Sequence, residues 1–473
     1  MIKKVLNSNK PMLTLSMLVL HVAIGFIIAQ SPLAAKLWCI AILLIGFVKI
    51  GKNKNRNEEA LLWSAYIAAA DVPLRACEGA LVWEIGKLGV VLFLLFGMFV
   101  SKGQKSKVPR EAIIMTLLLI PGILTTFTWS NDVLSSLTFN LSGMACLLIS
   151  MIYLYKKRIS FDTIKSFFTY SLFPIVTLSF VLFYRTPNLD TIEFTSAANF
   201  ATSGGFGPNQ VATILGYGWL IVLLMIYMKE KLTFNIVVTF GLLMFLIYRS
   251  LFTFSRGGNL AAILAFACFF FFYSFARSVK GKSSKSIAGL ALVGLLGIGV
   301  VQSLDTATGG VFSNRFTGKN TQGEMKEDVT SGRADILKME YELFEDNPMG
   351  VGVGGSRYFR TVQFGNVQAS HNEFGRLLSE HGVFGIGVIL ILLLSPLFFI
   401  NKLPEAKNKA FCLMFYVLCV ASMMHSGCRT AMPELLYGLS FFYLIQSNMK
   451  DSNIRNKISI YGKTKTMAVP LGK

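Results

Sequence analysis

Residues 368–400 read QASHNEFGRLLSEHGVFGIGVILILLLSPLFFI. The second part, 382–400, carries no charge and is long enough to cross a bilayer, which takes about 20 apolar residues in a helix. The first part holds the densest polar chemistry in the chain, opened by His371 and Asn372 and closed by Gly382 and Gly385. The stretch therefore reads as a loop entering a membrane helix, with an imidazole at the membrane edge.

Working outward, similar apolar runs recur at 12–29, 33–50, 60–76, 81–100, 111–129, 133–154, 165–184, 210–228, 233–251, 258–275, 286–304, 382–400, 410–425 and 432–447. Of the 473 residues, 53% are hydrophobic and only 15% charged, where soluble proteins carry roughly 25% charged residues. The expectation is an all-α, polytopic membrane protein of about 12–14 transmembrane helices, since runs three, four and fourteen are the shortest or most interrupted.

The net charge of +20 could suggest nucleic acid, but the basic residues sit in short loops. With both termini cytoplasmic, the loops on that side (1–10, 49–59, 101–110, 155–165, 229–231, 277–285, 401–409 and 448–473) hold 30 of the 45 Lys and Arg. That asymmetry is the positive-inside signature of a multi-pass membrane protein, and no nucleic-acid partner is expected. The first apolar run follows Lys3, Lys4 and Lys10 without a cleavage pattern, so it reads as a retained signal anchor. The seven cysteines lie mostly inside apolar runs without CxxC spacing and read as packing residues.

Four parts follow: N-terminal transmembrane helices (1–304), a long extracytoplasmic loop (305–381), C-terminal transmembrane helices (382–447) and a basic cytoplasmic tail (448–473). The loop is far longer than ordinary connections and should be folded. Within it, Ile336, Met339, Leu343 and Phe344 recur at near-helical spacing behind Ser331 and Arg333, and Asn347-Pro348 ends the run. The glycines of GVGVGGSR (350–357) lack the strand, helix and Lys of a nucleotide loop.

Arginine binds phosphate through a planar fork and keeps its charge, so its placement carries information. The outer face is expected to hold Arg75, Arg185, Arg249, Arg256, Arg333, Arg357, Arg360, Arg376 and Arg429, with His371, His381 and His425. Taken singly, each Arg is a membrane-edge side chain reaching for water. Convergence of several would suit a diphosphate. His371 has the intrinsic pKa for proton transfer near neutrality; a loop histidine satisfied by a carbonyl is the competing reading. Asn209 and Gln210, after a glycine-rich turn, serve either as a helix start or as ligand contacts. No DxD, HExxH or metal-ligand spacing is present, which disfavours a metal-dependent sugar-nucleotide enzyme; no metal or cofactor is expected.

His371-Asn372-x9-Gly382-x-x-Gly385, with FSRGGN around Arg256 and SGRADILKMEYELFEDNPMGVGVG around Arg333, resembles the bacterial O-antigen ligase family and its wider superfamily of O-antigen and capsule polymerases. The resemblance spans roughly 205 to 445. It implies a glycosyltransferase type C-like fold and metal-independent, inverting transfer of a glycan from undecaprenyl diphosphate to an acceptor on the outer face of a bacterial cytoplasmic (inner) membrane. The acceptor would be a lipid A core or similar molecule, as in a ligase, or a carrier-linked glycan, as in a repeat-unit polymerase. By the resemblance Arg256 and Arg333 would hold the diphosphate and His371 would take or orient the acceptor proton. Asn372, Arg249, Arg357, Arg376, Asn209, Gln210 and Arg429 are the expected substrate-binding residues. A polysaccharide or lipid transporter, the reading from another class, predicts paired interrupted spans that the chain does not show.

Overall fold

The structure is a computed structural model that describes residues 10–101, 106–187, 192, 194, 197–276, 294, 297–326, 328, 330–365 and 370–445. The basic tail and most of run 286–304 lie outside them; the part of that run at 297–304 is helical. The helices are α1 Lys10–Gln30, α2 Pro32–Asn53, α3 Glu59–Ala76, α4 Ile85–Val100, α5 Arg110–Thr126 and α6 Val133–Leu154, followed by α7 Phe161–Arg185, α8 Pro208–Tyr227, α9 Ile236–Leu251 and α10 Arg256–Ala276. The long loop carries α11 Val311–Phe316, α12 Arg333–Asp346 and α13 Gly355–Phe364. The chain then closes with α14 Glu373–Asn401, α15 Ala406–His425 and α16 Ala431–Gly438. Short strands β1 Arg158–Ser160 and β2 Tyr443–Ile445 pair in parallel and tie the end of the described chain to the start of α7.

Among the described residues eight helices are long and apolar enough to cross a membrane, and α4 and α9 are shorter apolar helices. The protein is thus an all-α polytopic membrane protein. Helix starts follow local chemistry: Ser31, Asp132, Ser160 and Asn235 each accept a first-turn N–H, satisfying a donor the helix leaves orphaned. Helix α8 is buried on nearly every face and forms the centre of the bundle. Its Gly216 faces Gly258 of α10 so closely that a Cβ at Gly216 would lie 2.6 Å from the Gly258 carbonyl oxygen. Small residues let these backbones approach, and the first turn of α10 is fixed against α8.

Three runs depart from the expected spans. Run 60–76 becomes α3, which carries the buried Asp71–Arg75 ion pair at 2.9 Å. Run 81–100 yields a helix only from Ile85, and Leu81, Val82 and Trp83 lie exposed ahead of it. Run 432–447 does not continue as a helix: the eight-residue α16 gives way to a single turn and β2.

Helix α14 also differs from expectation. It begins at Glu373, and Gly382 interrupts it with φ 58°, ψ −135°, a conformation open essentially to glycine alone. The loop segment after α12 fills the break. The N–H groups of Val351 and Gly352 donate to the carbonyls of Ser379 and Glu380, and Val383 N–H donates to the Pro348 carbonyl. A Cβ on Gly382 would sit 2.1 Å from the Pro348 oxygen, so the two chains meet backbone to backbone.

Candidate functional site

The residues around His371 fold through local polar chemistry. Ser370 Oγ donates to the Asn372 carbonyl and accepts from the Asn372 N–H, at 3.0 and 3.2 Å. Asn372 Oδ1 in turn accepts from Phe374 N–H at 3.0 Å and caps α14. His371 is held between a serine turn and a helix cap, and it lines a cavity of about 200 Å³ together with Asn209, Gln210, Ser426 and Arg429. Its Nδ1 is buried and has no hydrogen-bond partner among the described residues. Burial, with the charges of Arg429, Arg333 and His425, lowers its pKa to about 3. At neutral pH the ring is neutral and able to accept a proton.

Arg256 and Arg333 are each the first residue of a helix, α10 and α12. A helix start concentrates unpaired N–H groups and the positive end of the dipole, which favours anions. Arg315, on α11, completes a basic group. Burial followed by the charges of Arg256 and Arg333 lowers its pKa to about 10, and burial followed by Arg256 lowers that of Arg333. The first turn of α10 also abuts His425: a Cβ on Gly257 would lie 2.5 Å from the imidazole ring. His425 itself is engaged, with Nε2 3.0 Å from Thr213 Oγ1 and Nδ1 2.9 Å from the Ala421 carbonyl. Ser255 Oγ donates to Asn209 Oδ1 at 2.8 Å, joining the start of α10 to the start of α8.

A larger cavity of about 450 Å³ lies on the other side of Gln210 and Arg429, which line both spaces. Its walls include Asn372, Arg357 and Arg376 as well as Arg75, Lys87 and Trp83. Most of its cations have carboxylate partners: Arg75 has Asp71, Lys87 has Glu84 at 2.5 Å, and Arg376 has Glu373. Arg376 also donates to the Asn140 side chain and carbonyl. Buried charge of this kind is tolerated when paired and hydrogen-bonded. These charges also shape the loop bearing Arg429. Arg75 donates to the Arg429 carbonyl at 3.0 Å, Glu373 accepts from Cys428 N–H at 3.0 Å, and Asp71 accepts from Ala431 N–H at 3.3 Å. Arg429 donates to the Ser370 carbonyl, next to His371.

Two expected residues have other attachments. Arg249 is buried, and its Nη2 donates to Thr186 Oγ1 at 2.9 Å and to the Thr202 carbonyl at 3.5 Å, tying the segment before α8 to α9. Arg185 donates to the carbonyls of Ala29 and Ala76 and joins helix ends. Sequence reasoning missed Arg315, Lys87, Asp71, Glu84, Glu373 and Glu380. A sharper signal existed for Asp71, Glu84 and Lys87, because ionisable residues in or beside apolar runs are functional candidates by default.

Residues 241–390 match the family described as O-antigen ligase. The matched segment holds Arg256, Arg315, Arg333, His371 and the Gly382 break. No curated protein and no solved structure matches the chain.

Proposed function

We propose that the protein moves a glycan from undecaprenyl diphosphate to an acceptor hydroxyl at the outer face of a bacterial inner membrane, in the manner of an O-antigen ligase. The observation that carries this reading is the His371 imidazole in one cavity with Arg429, its buried Nδ1 without a hydrogen-bond partner among the described residues. In the transfer, the acceptor oxygen attacks the anomeric carbon and the bond from that carbon to the phosphate oxygen breaks. The electron pair leaves with the diphosphate, whose charge Arg256 and Arg333 balance, and the hydroxyl proton passes to His371. Direct displacement inverts the sugar configuration.

The surrounding cations give the histidine a built-in order of events. Without donor, burial and these cations together depress its basicity; a bound diphosphate offsets the cations and raises it. His371 then becomes a competent base only when the leaving group is in place. The larger cavity supports an acceptor glycan: its paired charges, amides and Trp83 offer hydrogen bonds and a stacking face to a neutral polyol.

Purified protein incubated with a carrier-linked repeat unit, with and without lipid A core, tests the reading. Core-dependent appearance of one shifted product is expected. A ladder formed without core would make the protein a polymerase, and no product in either arm would overturn glycan transfer to these acceptors.

A further inference from the structure

Arg256 and Arg333 follow two turns that share an uncommon backbone state. Phe254, two residues before Arg256, has φ 58°, and Ser331, two residues before Arg333, has φ 60°. Non-glycine residues rarely enter this left-handed region, and for a bulky side chain it is an outlier that surrounding contacts must hold. One side chain reaches both turns. Arg315 Nε donates to the Phe254 carbonyl at 3.3 Å, and its Nη1 donates to Ser331 Oγ at 3.0 Å. The same short helix secures the first turn by packing: the Phe312 ring meets Phe254 edge-on at 5.6 Å within a buried cluster that also includes Phe252 and Leu304.

We propose that Arg315 is a positioning residue of the donor site, fastening the two left-handed turns so that Arg256 and Arg333 are spaced for the two phosphates of one diphosphate. This rests on the reading of Arg256 and Arg333 as diphosphate ligands. The planar fork of arginine suits the task, because its separate N–H groups reach two acceptors at once; lysine has the charge without the fork. The depressed basicity of Arg315 is consistent with all three cations sharing one region. The role differs from simple attraction of an anion, since a clamp governs the distance between two other groups. Its signature is therefore selectivity between diphosphate and monophosphate.

The experiment measures binding of geranylgeranyl diphosphate and geranylgeranyl monophosphate to the full-length protein in nanodiscs. Arg315→Lys and Arg315→Gln should each lose about tenfold in affinity for the diphosphate while monophosphate binding stays within about twofold, as expected when positioning alone is disturbed. Ser331→Ala, which removes one acceptor and leaves the charge, should move the same ratio in the same direction. Wild-type diphosphate binding by the Arg315 variants would overturn the proposal, as would equal loss of both ligands. Retention by Arg315→Lys with loss by Arg315→Gln would assign the effect to charge and also overturn it. Arg256→Ala and Arg333→Ala serve as references: if both bind the diphosphate as the wild type does, the donor-site reading itself fails.

Discussion

The two cavities that share Gln210 and Arg429 use charge differently. In the larger one Arg75, Lys87 and Arg376 are met by Asp71, Glu84 and Glu373, so these groups act mainly through hydrogen-bond geometry, while Arg357 and Arg429 add positive charge to the same lining. Around His371 burial acts together with charges of one sign, chiefly from Arg429 and Arg333. Paired charges suit a neutral sugar, and a one-signed field suits an anion. The difference teaches that composition alone is a poor guide, because the cavity with more arginines also holds the carboxylates that pair with several of them.

Substitutions can break this division of labour. The largest effect is expected for His371→Ala, which should lower kcat by about 10²–10⁴-fold, the usual range for a lost general base, while leaving prenyl diphosphate binding within about threefold. Equal kcat in mutant and wild type would remove the base from His371. Trp83→Ala should act on the other half, raising the acceptor KM about tenfold, as expected for loss of a stacking face worth roughly 1–1.5 kcal/mol, with the donor KM unchanged. A donor-side effect would reverse the assignment of the cavities.

The smallest expected change sharpens the shared wall. Arg429→Gln removes a cation that holds the His371 pKa down, so that pKa should rise and the acid limb of kcat/KM should move to higher pH. The sign follows from the need for a neutral ring: activity falls as pH drops through the pKa, and a higher pKa places the fall earlier. In the wild type the acid limb of kcat should lie above that of kcat/KM, because bound diphosphate offsets the same cations. Coincident limbs would argue against donor-dependent activation.

Much of the helical fold is legible because a bilayer demands length and a lack of charge, and runs such as 382–400 satisfy both. Legibility fails where charges are neutralised by tertiary partners: Asp71 with Arg75 and Glu84 with Lys87 interrupt apolar patterns that only packing completes. The last run fails for a different reason, since β2 depends on pairing with a strand almost 300 residues earlier, a contact without local signature. At the site, His371, Arg256 and Arg333 stand out because each lies in a short motif beside a helix start. Arg315 lies in a loop without periodicity, and its two bonds depend on turns distant in sequence.

The backbone seam at Gly382 also limits how such a protein can be remodelled. Pro348, Val351 and Gly352 are hydrogen-bonded to the first half of α14 and the residue just beyond its break. The long loop is therefore not a detachable cassette between two membrane blocks. A chimera that takes its loop from a relative should inherit Ser331 through Gly385 as one unit. A junction placed between Pro348 and Gly382 would divide a single mechanical joint between two parents.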